Sequence, residues 1–154
     1  MKRTLRRSGA GLLVALVLLQ FWRPAKNESA AAGPDDINAS HPIPVRVQEV
    51  LHRACYDCHS DNTHYPWYAN VQPVRWWLDS HVNEGKRHLN FSAFGSYNPK
   101  QAGKKLDEIV DEVEQQGMPL QSYTWVHAEA RLTPAEVKLI AAWADSLRDE
   151  IVPP

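Results

Sequence analysis

Cys55-Tyr56-Asp57-Cys58-His59 constrains this chain more than any other stretch. Two thiols three residues apart, with a histidine directly after the second, is the pattern for covalent haem attachment. On one helical turn both sulfurs point the same way, so each can bond one vinyl group at a porphyrin edge. The histidine then aims a nitrogen at the iron, which takes one or two axial ligands from protein. A bare C-x-x-C also marks redox dithiols and zinc half-sites. These are the only two cysteines in 154 residues, which excludes a four-cysteine zinc site. A Cys2His2 site needs a second histidine at suitable spacing. His59 and His64 fit formally, but His59 directly after Cys58 cramps a tetrahedron. A thioredoxin-like dithiol should follow a strand in a βαβ pattern, and no such strand is apparent. Haem c is the leading expectation. Zinc, a redox dithiol and a structural disulfide are the alternatives.

The N-terminus reads as a targeting segment. Lys2, Arg3, Arg6 and Arg7 precede an apolar stretch from Gly9 to Trp22 broken only by Gln20. This is the pattern of a signal segment or a short membrane anchor. Ala30-Ala31-Ala32 is the available cleavage site but lies some way downstream, so an uncleaved anchor is favoured over a cleaved signal. Trp22 and Arg23 suit a membrane–water interface, and the positive-inside rule leaves the residues after Arg23 on the far side of the membrane. Export to the bacterial periplasm agrees with the motif, because haem c is attached outside the cytoplasm. Six of the seventeen basic residues lie at or before Lys26, and all eighteen acidic residues lie after it. The remainder is acidic, which argues against nucleic acid and favours a basic redox partner protein.

Along the chain, residues 1–25 are the signal or anchor segment, 26–42 a linker without apolar periodicity, and 43–152 a single helical domain. Val47, Val50, Leu51 and Ala54 fall at i, i+3, i+4 and i+7, which predicts a helix running into Cys55. Tyr65, Trp67 and Tyr68 form an aromatic group that suits porphyrin packing as well as a core. A second helix is expected from about Pro73, with Trp76, Trp77 and Val82 inward, and a loop from Gly85 to Gly95 tucked down by Leu89, Phe91 and Phe94. His81 reads as a hydrogen-bonded histidine rather than a ligand. Asn98-Pro99 opens a third helix with Ala102, Leu106, Ile109, Val110 and Val113 buried, and Gly117 is its expected C-cap. Met118, the only methionine besides the initiator, comes next in a Gly-Met-Pro turn. With haem assumed, its thioether is the favoured second ligand to iron, with His127 and His88 as rivals. Tyr123 and Trp125 are candidate haem covers. Thr133-Pro134-Ala135-Glu136 is a capping box that starts the last helix.

The order of helix, C-x-x-C-H, helices, methionine loop and capped C-terminal helix resembles the class I cytochromes c. More narrowly, the chain resembles the bacterial haem-binding domain family related to them. The matching residues are Cys55 to Ser60, Tyr65-Pro66-Trp67-Tyr68, His81-Val82-Asn83-Glu84-Gly85, Leu89-Asn90-Phe91, Gly117-Met118-Pro119 and Tyr123-Thr124-Trp125. The resemblance implies an all-α, cytochrome c-like domain wrapped around a covalent haem. It implies thioether bonds at Cys55 and Cys58, with iron held by His59 and Met118; Tyr65, Trp67 and Trp125 are expected against the ring from their aromatic chemistry. In class I proteins the first and last helices cross, which here would set Val47, Val50 and Leu51 against Ile140 and Trp143. The glycine that often permits a close crossing is missing from the first helix. The expected function is electron transfer. The rivals are a haem enzyme or gas sensor, with His127 or His81 as the polar distal group, and an interaction module using haem as a structural core.

Overall fold

The computed structural model describes residues 2–29 and 32–153. Among them the chain is all-helical, with no strand and one isolated bridge between Glu28 and Asn62. Helix α1 spans Lys2–Leu19. Its apolar side chains from Leu12 to Leu19 are exposed all round. No helix among the described residues is long and apolar enough to cross a membrane, so the structure lends the spanning-anchor reading no support. Ala30 and Ala31 of the candidate cleavage site lie outside the described residues.

Within the stretch 26–42, expected as a linker, Asn27 and residues 35–37 are held against the domain. Asp36 caps the short helix α2 (Ile37–Ser40), and Ile37 is fully buried in the core. The run lacks helical periodicity because it is held by single side chains and by Gly95 N–H donating to the Asp35 carbonyl at 2.8 Å.

Helix α3 (Val45–Ala54) buries Val47, Val50, Leu51 and Ala54, the expected stripe. Cys55 breaks it, and one further turn, α4 (Tyr56–His59), carries the rest of the motif. A 3₁₀ turn over Trp67–Asn70 leads to α5, Val74–His88. This helix runs straight through Gly85, where a loop was expected to begin. Gly85 stays helical because its missing side chain lets α5 lie against Cys58. A Cβ built there would stand 2.6 Å from the Cys58 carbonyl oxygen. Trp77 faces outward rather than inward. Leu89, Phe91 and Phe94 are buried as expected, in and beside a 3₁₀ segment over Phe91–Ser96.

Helix α6 (Pro99–Glu114) starts with a capping box of Asn98 and Gln101. At its end Gln116, not Gly117, takes the left-handed conformation, with φ 59°. The Gly117 and Met118 amides both donate to the Glu112 carbonyl, at 2.9 and 3.1 Å, which closes the helix without a glycine in that position. Helix α7 (Gln121–Thr124) and a 3₁₀ turn at Ala128–Ala130 precede α8, Pro134–Ile151.

The last helix packs along α6, where Gly103 sits 3.0 Å (built Cβ) from a Val152 methyl. The close helix contact missing a glycine on α3 is therefore made on α6. Val50 and Ile140 share one apolar cluster against Trp143, so α3 does meet α8. Val47 and Leu51 belong to the main core with Ala144 and Leu147.

The same α3–α8 contact carries an ion pair. Arg53 Nη2 donates to Glu136 Oε1 at 2.6 Å, while Glu136 Oε2 accepts the Thr133 backbone N–H at 2.8 Å. The Thr133 amide, then Arg53, hold the Glu136 carboxyl down to about 2. A depressed carboxylate stabilises the fold above its unfolded value of roughly 4.3, and that contribution disappears as pH falls through the folded value. Glu136→Ala will cost about 1 kcal/mol from the cap alone, and more because Arg53 Nη2 loses its Glu136 partner on a guanidinium whose Nε already has none among the described residues. Urea titrations of the two proteins at a series of pH values should show a flatter profile for the variant between roughly pH 4.3 and 2. Parallel profiles would exclude this role.

Candidate functional site

The motif turn is local helix chemistry. The Cys58 and His59 amides both donate to the Cys55 carbonyl, at 3.2 and 3.0 Å, which puts both thiols on one turn. Both cysteines are free and partly buried. Burial first, then the nearby Cys58 thiol for Cys55 and the Asp57 carboxylate for Cys58, push Cys55 up to about 12 and Cys58 up to about 11. A redox dithiol needs a depressed thiol, so this environment is the opposite of a thioredoxin-like one. Among the described residues no group of three or more His, Cys, Asp and Glu side chains is placed to hold a metal ion.

His59 is half-buried, with Nδ1 3.1 Å from the Leu89 carbonyl. Burial lowers its pKa, which keeps the ring neutral. A carbonyl can only accept, so the proton sits on Nδ1 and the lone pair is on Nε2. This is how proteins orient a histidine toward a metal. Leu89 is presented at the end of α5, and Gly85 brings that helix against Cys58. The donor set therefore fits a haem: two protonated thiols on one turn, and a neutral imidazole with a fixed tautomer.

Asp57, between the two cysteines, ties two pieces of chain to the motif. Its Oδ2 accepts the Tyr123 hydroxyl at 2.7 Å, its Oδ1 accepts the His64 amide at 2.9 Å, and its carbonyl accepts Thr63 Oγ1 at 2.6 Å. Tyr123 stacks on His127 with ring centroids 4.2 Å apart. His127 Nδ1 lies 3.2 Å from the Tyr123 carbonyl, and its Nε2 lies 3.2 Å from the Tyr68 hydroxyl. Both ring nitrogens of His127 are thus engaged. His88 is exposed and pairs with Glu84, and His81 Nδ1 contacts the Trp77 carbonyl at 2.8 Å. Met118 is half-buried at the start of the loop that Tyr123 fastens to Asp57.

The expected aromatic contacts separate. Trp67 and Trp125 stand out at 80% and 68% exposed. Tyr65 instead accepts the Asn27 amide at 3.0 Å, and its ring carries the Arg75 guanidinium 4.3 Å away. Asn27 reaches the site directly, its Nδ2 donating to the Ser60 carbonyl at 2.8 Å and to Thr63 Oγ1 at 2.9 Å. In the sequence Asn27 and Asp57 had no expected role at the site, and Gly85 was expected to start a loop. Asp57 alone gave a local signal, as a carboxylate beside the attachment thiols.

No curated protein and no solved structure matches the chain. The family described as Haem-binding domain matches residues 14–146, which takes in the motif turn, the Asn27 segment and most of α8. The chain belongs to the haem-binding domain family.

Proposed function

We propose that this haem-binding protein is an electron carrier with covalent haem c, exported to the periplasmic side of the bacterial inner membrane and held there by its N-terminal segment. The observation that supports it best is the motif turn, where His59 is a neutral imidazole with Nε2 as its lone-pair nitrogen and both thiols share one face. Bound haem iron would supply a one-electron couple. Cys55 and Cys58 would hold the porphyrin edge, and His59 would be the first iron ligand. Met118 would be the second, a reading supported by His127 having both nitrogens engaged within the protein. Trp67 and Trp125, exposed apolar rings on the segments that carry Tyr68 and His127, would cover the porphyrin. A basic redox partner suits the acidic composition after Lys26.

The test is Met118→Ala in exported, haem-loaded protein. The thioether-to-iron charge-transfer band should vanish, and the potential should fall by a sizeable part of the ~0.8 V that axial ligands span. Unchanged spectra and potential would remove Met118 from the iron.

The Asp57–Tyr123–His127–Tyr68 chain favours a second reading, a haem enzyme or gas sensor, because such sites want a fixed polar group. Carbon monoxide separates the two. Ready binding to the reduced native protein supports the sensor or enzyme, and resistance supports the electron carrier.

A further inference from the structure

The segment from Gln20 to Glu28 continues from α1 without slack and is bound to the domain along its length. Gln20 Oε1 accepts the Gln72 amide at 2.9 Å. The Trp22 carbonyl accepts Gln72 Nε2 at 2.7 Å and Trp76 Nε1 at 3.0 Å. Buried Arg75 donates to the carbonyls of Pro24 and Ala25 at 3.1 and 2.8 Å. Asn27 then enters the site beside Ser60 and Thr63. The family match begins at residue 14, inside α1, so the family's unit already includes this strap.

While its polar groups face the domain, the strap turns Phe21 and Trp22 outward, 82% and 77% exposed, and Val71, which precedes the strap-bonded Gln72 in the chain, is also exposed. The uncharged part of α1, Ser8–Leu19, is twelve residues, about 18 Å of helix, against about 30 Å of hydrocarbon. A short apolar segment is accommodated by local thinning and by drawing its flanks toward the lipid. Aromatic rings at the headgroup level suit that position.

We propose that Phe21, Trp22 and Val71 form a lipid-facing seat that holds the haem domain directly on a bilayer surface at a fixed attitude. This rests on the reading that the N-terminal segment meets a membrane. The strap is then a structural part of the domain, and the attitude of the motif turn to the membrane is set by Gln72, Arg75 and Trp76.

The test uses full-length, haem-loaded protein on vesicles of phosphatidylcholine and phosphatidylglycerol. Flotation reports membrane attachment, and hydrogen exchange of peptides covering residues 71–77 reports the seat. A second protein carries a flexible Gly-Ser linker between Leu19 and Gln20, which leaves the strap bonded but adds slack. Both proteins should float. Exchange over residues 71–77 should be roughly tenfold slower in the native protein than in the linker protein. Flotation of both with equal exchange overturns the seat and leaves membrane attachment standing. Failure of the native protein to float overturns the attachment and the seat with it.

Discussion

Gly85→Ala will destabilise the folded domain by roughly 1–3 kcal/mol, the range for forcing extra volume into a packed contact. The sign is informative. In an exposed helix interior, alanine improves on glycine by about 1 kcal/mol. Gly85 lies within α5, yet its Cβ would meet the Cys58 carbonyl oxygen at 2.6 Å, with Cys58 C and Cβ both at 3.1 Å. These are backbone and near-backbone atoms, so relief requires α5 and the motif turn to part. That parting would also withdraw the Leu89 carbonyl from His59 Nδ1, so the variant should retain less haem as well as melt earlier. Gly103→Ala is the matched control. Its Cβ would meet only the Val152 methyl at 3.0 Å, the end of a side chain near the C-terminus, which can shift. Urea unfolding of both proteins decides the matter. Equal stability changes at the two positions would mean that the α5 contact is not tight.

The second large effect concerns the thiols. Replacing Cys55 and Cys58 with alanine should abolish covalent haem, leaving a chain whose mass lacks the cofactor and from which acidified organic solvent extracts any residual pigment. A tether makes rebinding intramolecular at an effective concentration in the millimolar range, and haem bound only to the folded state stabilises it in proportion. The double variant should therefore lose stability as well as attachment, while Cys58→Ala alone should keep a single bond and an intermediate haem content. Haem that stays attached to the double variant would refute thioether linkage.

The helices that could be read in the sequence were those that carry their own punctuation. Thr133 and Glu136 form a reciprocal cap, and Asn98 with Gln101 forms another. The α3 stripe is buried where its spacing places it. The motif turn was equally plain, because its chemistry is confined to five consecutive residues. Contacts between distant residues were not readable. Nothing local to Asn27 says that it will meet Ser60 and Thr63, and within a Ser- and Ala-rich stretch it looked like tether. Gly85 resembled a helix end because glycine usually is one, whereas here it answers a neighbour 27 positions earlier in the chain. Tyr65 and Tyr123 were both aromatic residues near a cofactor motif, and only the fold divides them, one to the strap and one to Asp57.

Asn27, Leu89 and Tyr123 together grip the segment from Asp57 to Thr63, and they come from before and well after it in the chain. That grip cannot close until residue 123 has been delivered. Until then Cys55 and Cys58 sit on an open chain in water. Once it closes, both thiols are only partly exposed, and burial raises their pKa values. Under the covalent reading proposed above, the open chain would take haem more readily than the closed one.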